Sequence, residues 1–150
     1  MQCGSCKFGL WRVAVDFEGN VVHRVRFVKA AEGGAVPVQF TRFLAGRGVS
    51  FAPLVSAAVG GCGKYAEIYR AVSEIPYGET RTYGEIAAFC GTHPRVVGNA
   101  MARNPTPLIV PCHRVVGASG TGGFSPDVRI KVELLRMEEK HYNGCNYSAP

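Results

Sequence analysis

Residues 82–104 read TYGEIAAFCGTHPRVVGNAMARN, a stretch with the start and stop signals of two successive short helices. Thr82 followed three residues later by Glu85 is a capping box, in which the hydroxyl accepts from the N3 amide and the carboxylate reaches back to the cap. The helix it opens is expected to bury Ile86, Phe89 and Cys90, and Gly91 is placed to end it in a left-handed conformation. A second helix follows at once, with Thr92 as the expected cap, Pro94 in the first turn and Asn104-Pro105 as the stop. Val96, Val97, Ala100 and Met101 form its inner face. Arg95, Gly98, Asn99 and Ala102 recur at i, i+3, i+4 and i+7 on the outer face, which is small and polar with one guanidinium at its start. Two short helices about a tight glycine turn fit a helix-turn-helix. A plain αα-hairpin in a mixed domain fits the same pattern.

Upstream, Tyr65, Ile68, Tyr69, Val72 and Ile75 make one apolar helical stripe, stopped by Pro76-Tyr77-Gly78. Before residue 60 the pattern is strand-like. Residues 10–17 (LWRVAVDF) and 21–28 (VVHRVRFV) flank a Glu-Gly-Asn turn and read as a hairpin. A short helix or strand is expected over 38–44, and the glycine-rich 57–64 (AAVGGCGK) reads as a linker. Downstream, Ser125, Pro126 and Asp127 signal the start of a last helix. Its apolar rows are expected to be Val128/Val132/Leu135 and Ile130/Leu134/Met137, with charges elsewhere.

The chain has 150 residues, 47% hydrophobic and 19% charged, which excludes a disordered or acidic-tail protein. No apolar run approaches the length of a membrane span, and the start, MQCGSCKFGL, has no secretory pattern. A cytoplasmic protein without membrane contact is expected. The net charge is +6. No acidic residue occurs between Glu85 and Asp127, while Arg95, Arg103, Arg114, His93 and His113 do. Such a window suits an anionic ligand.

Residues 108–117 read LIVPCHRVVG. Cys112 is set between two apolar runs, with His113 and Arg114 directly after it. A neighbouring His or Arg lowers a thiol's pKa and makes it nucleophilic. A buried structural cysteine is the other reading of the same residues. Cys3 and Cys6 have ligand-like spacing, with Cys62 and His23 as further candidates, but zinc needs four partners. Free thiols, a disulfide and zinc stay open for these cysteines and for Cys90 and Cys145. No metal site is assigned.

Pro111-Cys112-His113-Arg114-Val115 resembles the active-site signature of the O6-alkylguanine-DNA alkyltransferases, direct-reversal repair proteins. Residues 76–87 (PYGETRTYGEIA), 95–101 (RVVGNAM), Asn104-Pro105, Gly123-Phe124-Ser125 and Glu138 extend the resemblance over about residues 65–139. The family often has Tyr where this chain has Phe124.

The resemblance implies an α+β fold, with a small ribonuclease-H-like N-terminal domain over 1–60. A helical C-terminal domain over 61–150 would carry a winged helix-turn-helix. It implies an irreversible, single-turnover transfer of an alkyl group from guanine O6 in duplex DNA to Cys112, without cofactor. By resemblance, His113, oriented by Glu138, deprotonates the thiol through a water. Tyr83 donates to the leaving base, and Asn104 holds the turn before the active-site loop. Val115, Phe124 and Ser125 form the base pocket. Arg95 replaces the flipped base in the stack, while Gly98, Asn99 and Ala102 lie in the minor groove. A monomer is expected. The alternative is an alkyltransferase-like protein that binds lesions without repairing them; such relatives replace the nucleophile that is present here.

Overall fold

The computed structural model describes residues 1–148, with side chains to residue 140. Its first layer is a four-stranded sheet in the order β1-β2-β3-β4. β1 (Gln2–Phe8), β2 (Trp11–Glu18) and β3 (Val21–Val28) form an antiparallel meander, and β4 (Val55–Ser56) adds parallel to β3. The expected hairpin is β2–β3. β1 is additional: its sequence, QCGSCKF, lacks the β-branched run that marks its neighbours.

Residues 38–44 form helix α1 (Val38–Leu44), which buries Phe40 and Phe43 completely against the sheet. Each such burial is worth about 1.5–3 kcal/mol. The expected linker is partly ordered: Ala57–Gly60 make a 3₁₀ turn capped by Ser56.

The second layer is helical. α2 (Lys64–Ser73) carries the stripe Ile68, Tyr69 and Val72 inward. Among the described residues, α3 (Tyr83–Cys90) and α4 (Pro94–Ala102) pack on it as a helical pair. Thr82 and Glu85 form the capping box, and Gly91 ends α3 at φ 65°. Phe89, however, is 81% exposed; Ala87 takes the inward position, because the buried face follows Ile86, Ala87 and Cys90. The α4 cap is His93 rather than Thr92: its Nδ1 accepts from the Arg95 amide, with Pro94 at the first helical position.

β5 (Arg81–Thr82) pairs in parallel with β6 (Val115–Val116) beside this helical pair. The last helix, α5 (Val128–Ser148), starts three residues after Ser125. Asp127 supplies the cap, accepting from the Arg129 amide at 2.9 Å. Its buried row is Ile130, Lys131, Leu134 and Glu138, not the expected Val128 row. No described helix is long and apolar enough to cross a membrane.

Two apolar cores result, and the chain crosses between them just before Cys112. Leu108, Ile130 and Leu134 pack with the sheet and α1. Val110 and Val115 pack with α2, α3 and α4. Leu108 and Val110 are therefore held by different cores two residues apart, which fixes the backbone leading into residue 112. The core of the sheet draws on residues well beyond position 60.

Candidate active site

Cys112 opens a 3₁₀ turn, Cys112–Arg114, and is 7% exposed at the floor of a cavity of about 810 Å³. That volume falls in the range of small-ligand sites. One wall is α4 with Gly98, Met101, Ala102 and Arg103; the facing wall is the β3 segment 24–28. Tyr83, Asn104, Phe124 and Ser125 complete the lining.

Behind the thiol is a buried ionic cluster. His113 is fully buried, and its Nε2 lies 2.5 Å from Glu138 Oε2. Glu138 also accepts from Arg114 Nε at 2.8 Å, from Arg114 Nη2 at 3.0 Å and from the Gly78 amide at 3.1 Å. Burial opposes ionisation of Glu138. Hydrogen bonds and charge from His113 and Arg114 outweigh that and hold its pKa down at about 2. Burial in turn lowers the pKa of His113. Imidazole facing an ionised carboxylate donates from Nε2, so Nδ1 keeps its lone pair. Nδ1 is buried and has no hydrogen-bond partner among the described residues. This is the tautomer a base needs.

Burial raises the pKa of the Cys112 thiol above its ordinary value. A hydrogen bond from Asn104, the Lys131 charge and the amides of residues 112 and 113 act in the opposite direction. Burial outweighs them, so the resting thiol is protonated, and these groups stabilise the thiolate once the proton is removed.

Asn104 is gripped on every side. Its Nδ2 donates to the Val110 carbonyl at 2.9 Å and its Oδ1 accepts from the Thr106 amide at 3.0 Å. The sheet holds the next two residues: the Val25 amide donates to the Pro105 carbonyl at 2.8 Å, and the buried Ser56 and Thr106 hydroxyls meet at 2.5 Å. Leu108 then takes φ 79° with its side chain buried. Left-handed backbone costs a non-glycine residue about 1–2 kcal/mol, which apolar burial offsets.

Lys131 is fully buried and donates to the carbonyls of Val115 at 2.7 Å and Gly123 at 3.3 Å, tying the loop over the cavity to the strand after Cys112. Gly122 crosses over Tyr83 at φ 76°; a Cβ there would lie 2.8 Å from the Tyr83 hydroxyl. Phe124 packs edge-on to Phe27, with ring centres 5.6 Å apart.

The expected residues thus divide into three groups. Cys112, Tyr83, Asn104, Gly98, Ala102, Phe124 and Ser125 share the cavity. His113, Glu138 and Val115 are buried outside its lining. Arg95 and Asn99 are exposed on α4, outside the cavity. Arg114 serves Glu138 and the Ile75 carbonyl rather than the thiol. Sequence reading missed Lys131, whose signal was a charge in register with Leu134 and Glu138 on the buried row. It also missed the β3 wall, which no local pattern marks. Cys3 and Cys6 sit three apart on one strand, exposed and buried respectively, so they face opposite sides and cannot share an ion. Among the described residues, no three His, Cys, Asp or Glu are grouped to hold a metal. Cys145 lies outside the residues whose side chains are described.

The family model for the DNA-binding domain of 6-O-methylguanine DNA methyltransferase matches residues 64–140. The methylated-DNA–protein-cysteine methyltransferase of Methanopyrus kandleri is 54% identical over 76 residues, 51% of this chain and 58% of that protein. Its namesake from Methanothermobacter thermautotrophicus is 45% identical over 87 residues, 57% and 49% of the two chains. The chain spans about half the length of the curated relatives it matches. Among solved structures, Mycobacterium tuberculosis OGT in complex with DNA is 30% identical and superposes with a TM-score of 0.80 over 94% of each chain. The O6-methylguanine-DNA methyltransferase of Pyrococcus kodakaraensis is 25% identical, with a TM-score of 0.69 over 91% of this chain and 98% of that one.

Proposed function

Because the chain belongs to the 6-O-methylguanine DNA methyltransferase family, we propose that it repairs O6-alkylguanine in duplex DNA by moving the alkyl group onto its own Cys112. The single observation that carries this reading is a buried thiol, Cys112, that lines an open cavity of about 810 Å³, accepts support from Asn104 and is followed directly by the buried His113–Glu138 pair.

The lesion lies inside the helix, so the nucleotide must be turned out to reach a buried thiol. Arg95, exposed at the start of α4, would fill the space left in the stack. The small outer face of Gly98, Asn99 and Ala102 would let α4 approach the minor groove closely. His113 Nδ1 takes the thiol proton through a bridging water, and Glu138 stabilises the imidazolium. The Cys112 sulfur then attacks the alkyl carbon in line. The carbon–O6 bond breaks, its electron pair passes to the guanine ring, and the Tyr83 hydroxyl donates to the leaving base. Backbone groups of Cys112 read the exocyclic edge, Phe124 forms the apolar wall and Ser125 approaches O6; Val115, buried behind the lining with its carbonyl held by Lys131, supports that pocket.

The same reading treats residues 1–60 as a ribonuclease-H-like domain and 61–150 as a winged helix-turn-helix domain, with the β5–β6 pair beside α3 and α4 as its support. It also has the protein acting in the cytoplasm as a monomer, since one reading helix and one thiol suffice for one lesion. A non-catalytic lesion binder would not need the thiol. The test is incubation with duplex carrying isotopically labelled O6-methylguanine, followed by peptide mapping. Label is expected on Cys112; label on Cys90, or left in the DNA, contradicts the reading.

A further inference from the structure

The cavity over Cys112 has two unlike walls, and the proposed function uses only α4. The other wall, residues 24–28 of β3, has no part in the steps above. None of the residues lining the cavity is acidic, yet three are arginines: Arg24, Arg26 and Arg103. Arg26 is committed, donating through Nη1 and Nη2 to Glu32 at 3.2 and 2.9 Å. Arg24 lies two residues along, on the same face of the strand, and is exposed. Its partner across the ladder is Asp16, whose carboxylate faces the Cys3 thiol on the next strand. Glu32 senses the Arg24 charge but is bonded to Arg26. Among the described residues, Arg24 forms neither a hydrogen bond nor an ion pair. Arg103, at the end of α4, is exposed on the facing wall and its side chain is equally uncommitted. The mouth therefore presents one available guanidinium on each side of the thiol.

A nucleotide turned into this cavity carries a phosphodiester on either side. A base set against Tyr83 and Cys112 would leave those two phosphodiesters at the mouth, between the α4 wall and the β3 wall. We propose that Arg24 binds the backbone phosphate on the β3 side, making the N-terminal sheet a DNA-contacting surface outside the helical pair. This rests on the alkyltransferase reading. A flexible, exposed guanidinium loses little by turning to a phosphate, and the geometry of its fork suits one. Each phosphate neutralised releases condensed counterions, so the contact is visible in the salt dependence of binding.

The test is equilibrium binding of the full chain to a fluorescent duplex carrying O6-methylguanine, across a series of KCl concentrations, with Cys112→Ala in every protein to prevent transfer. Arg24→Ala is expected to weaken binding about tenfold and to reduce the slope of log affinity against log salt by about 1. Arg24→Lys should keep the slope, and Arg24→Glu should bind more weakly than Arg24→Ala. Arg24→Ala lying on the parent's line overturns the proposal. So does Arg24→Lys impaired as much as Arg24→Ala, which would mean that charge is not the cause. A parent protein that does not bind duplex at all contradicts the alkyltransferase reading instead.

Discussion

Arg114 donates through Nε and Nη2 to the two oxygens of Glu138, at 2.8 and 3.0 Å, with both side chains buried. His113 shares that carboxylate, so one anion orients the imidazole and balances the guanidinium. Arg114→Met should cost about 3–5 kcal/mol, because it leaves a buried carboxylate without its main counter-charge. Chemical denaturation measures the loss, and transfer should slow with it as His113 loses its fixed orientation. A stability within 1 kcal/mol of the parent, or about that, would show the pair to be dispensable.

The same carboxylate sets an acid limit. Its pKa is depressed from an ordinary 4.5 to about 2 in the fold. A depressed acid contributes stability above its unfolded value and loses it as pH falls through the folded one. That contribution, on the order of 3 kcal/mol, should be complete above pH 4.5 and vanish toward pH 2. Glu138→Gln should flatten the stability profile over this window. A variant with the parent's acid profile would place the limit elsewhere.

Much of this was legible in the sequence. Thr82, Glu85 and Gly91 declare α3 by local chemistry alone, and the run around Cys112 marks a candidate thiol that the fold sets against a cavity. What escaped was set by tertiary packing. Phe89 reads as core by periodicity, yet its side of α3 faces outward. By periodicity alone Lys131 and Glu138 read as surface charges because α5 is amphipathic, and only the family resemblance singled out Glu138. They are buried because their partners, the Val115 carbonyl and Arg114, come from a loop distant in sequence. The grip of Ser56 and Val25 on residues 105 and 106 joins segments 50 and 80 residues apart, which no window reading can see.

Proton removal from Cys112 should govern the pH dependence of transfer. Burial raises its pKa, so the rate with O6-benzylguanine should climb from neutral into alkaline pH. Asn104 and Lys131 both lower that pKa. Asn104→Ala and Lys131→Met should therefore move the limb to higher pH and slow transfer at neutrality. Rates across the pH range, by quench and mass measurement, decide this; a limb that stays in place in both variants contradicts it.

Ser56 and Thr106 share a buried hydrogen bond. Removing one hydroxyl strands the other, at about 1–3 kcal/mol. Ser56→Ala with Thr106→Val should cost less than the sum of the single changes. A double-mutant cycle reads the coupling, and strict additivity would mean that the bond carries no energy.

Arg95 should matter for duplex and little for free base, since a free base needs no extrusion. Arg95→Ala is expected to lose at least about tenfold more rate on duplex O6-methylguanine than on O6-benzylguanine. Equal losses would remove it from the stack.

By the proposed chemistry Cys112 is consumed in the reaction. A thioether has no release step, and the chain carries no motif for a group that would regenerate the thiol. Titrating a known amount of protein with excess alkylated duplex measures this directly. A plateau is expected at about one alkyl group per chain, all on Cys112, with His113 and Glu138 variants reaching the same plateau more slowly. Transfer continuing past one group per chain would contradict it.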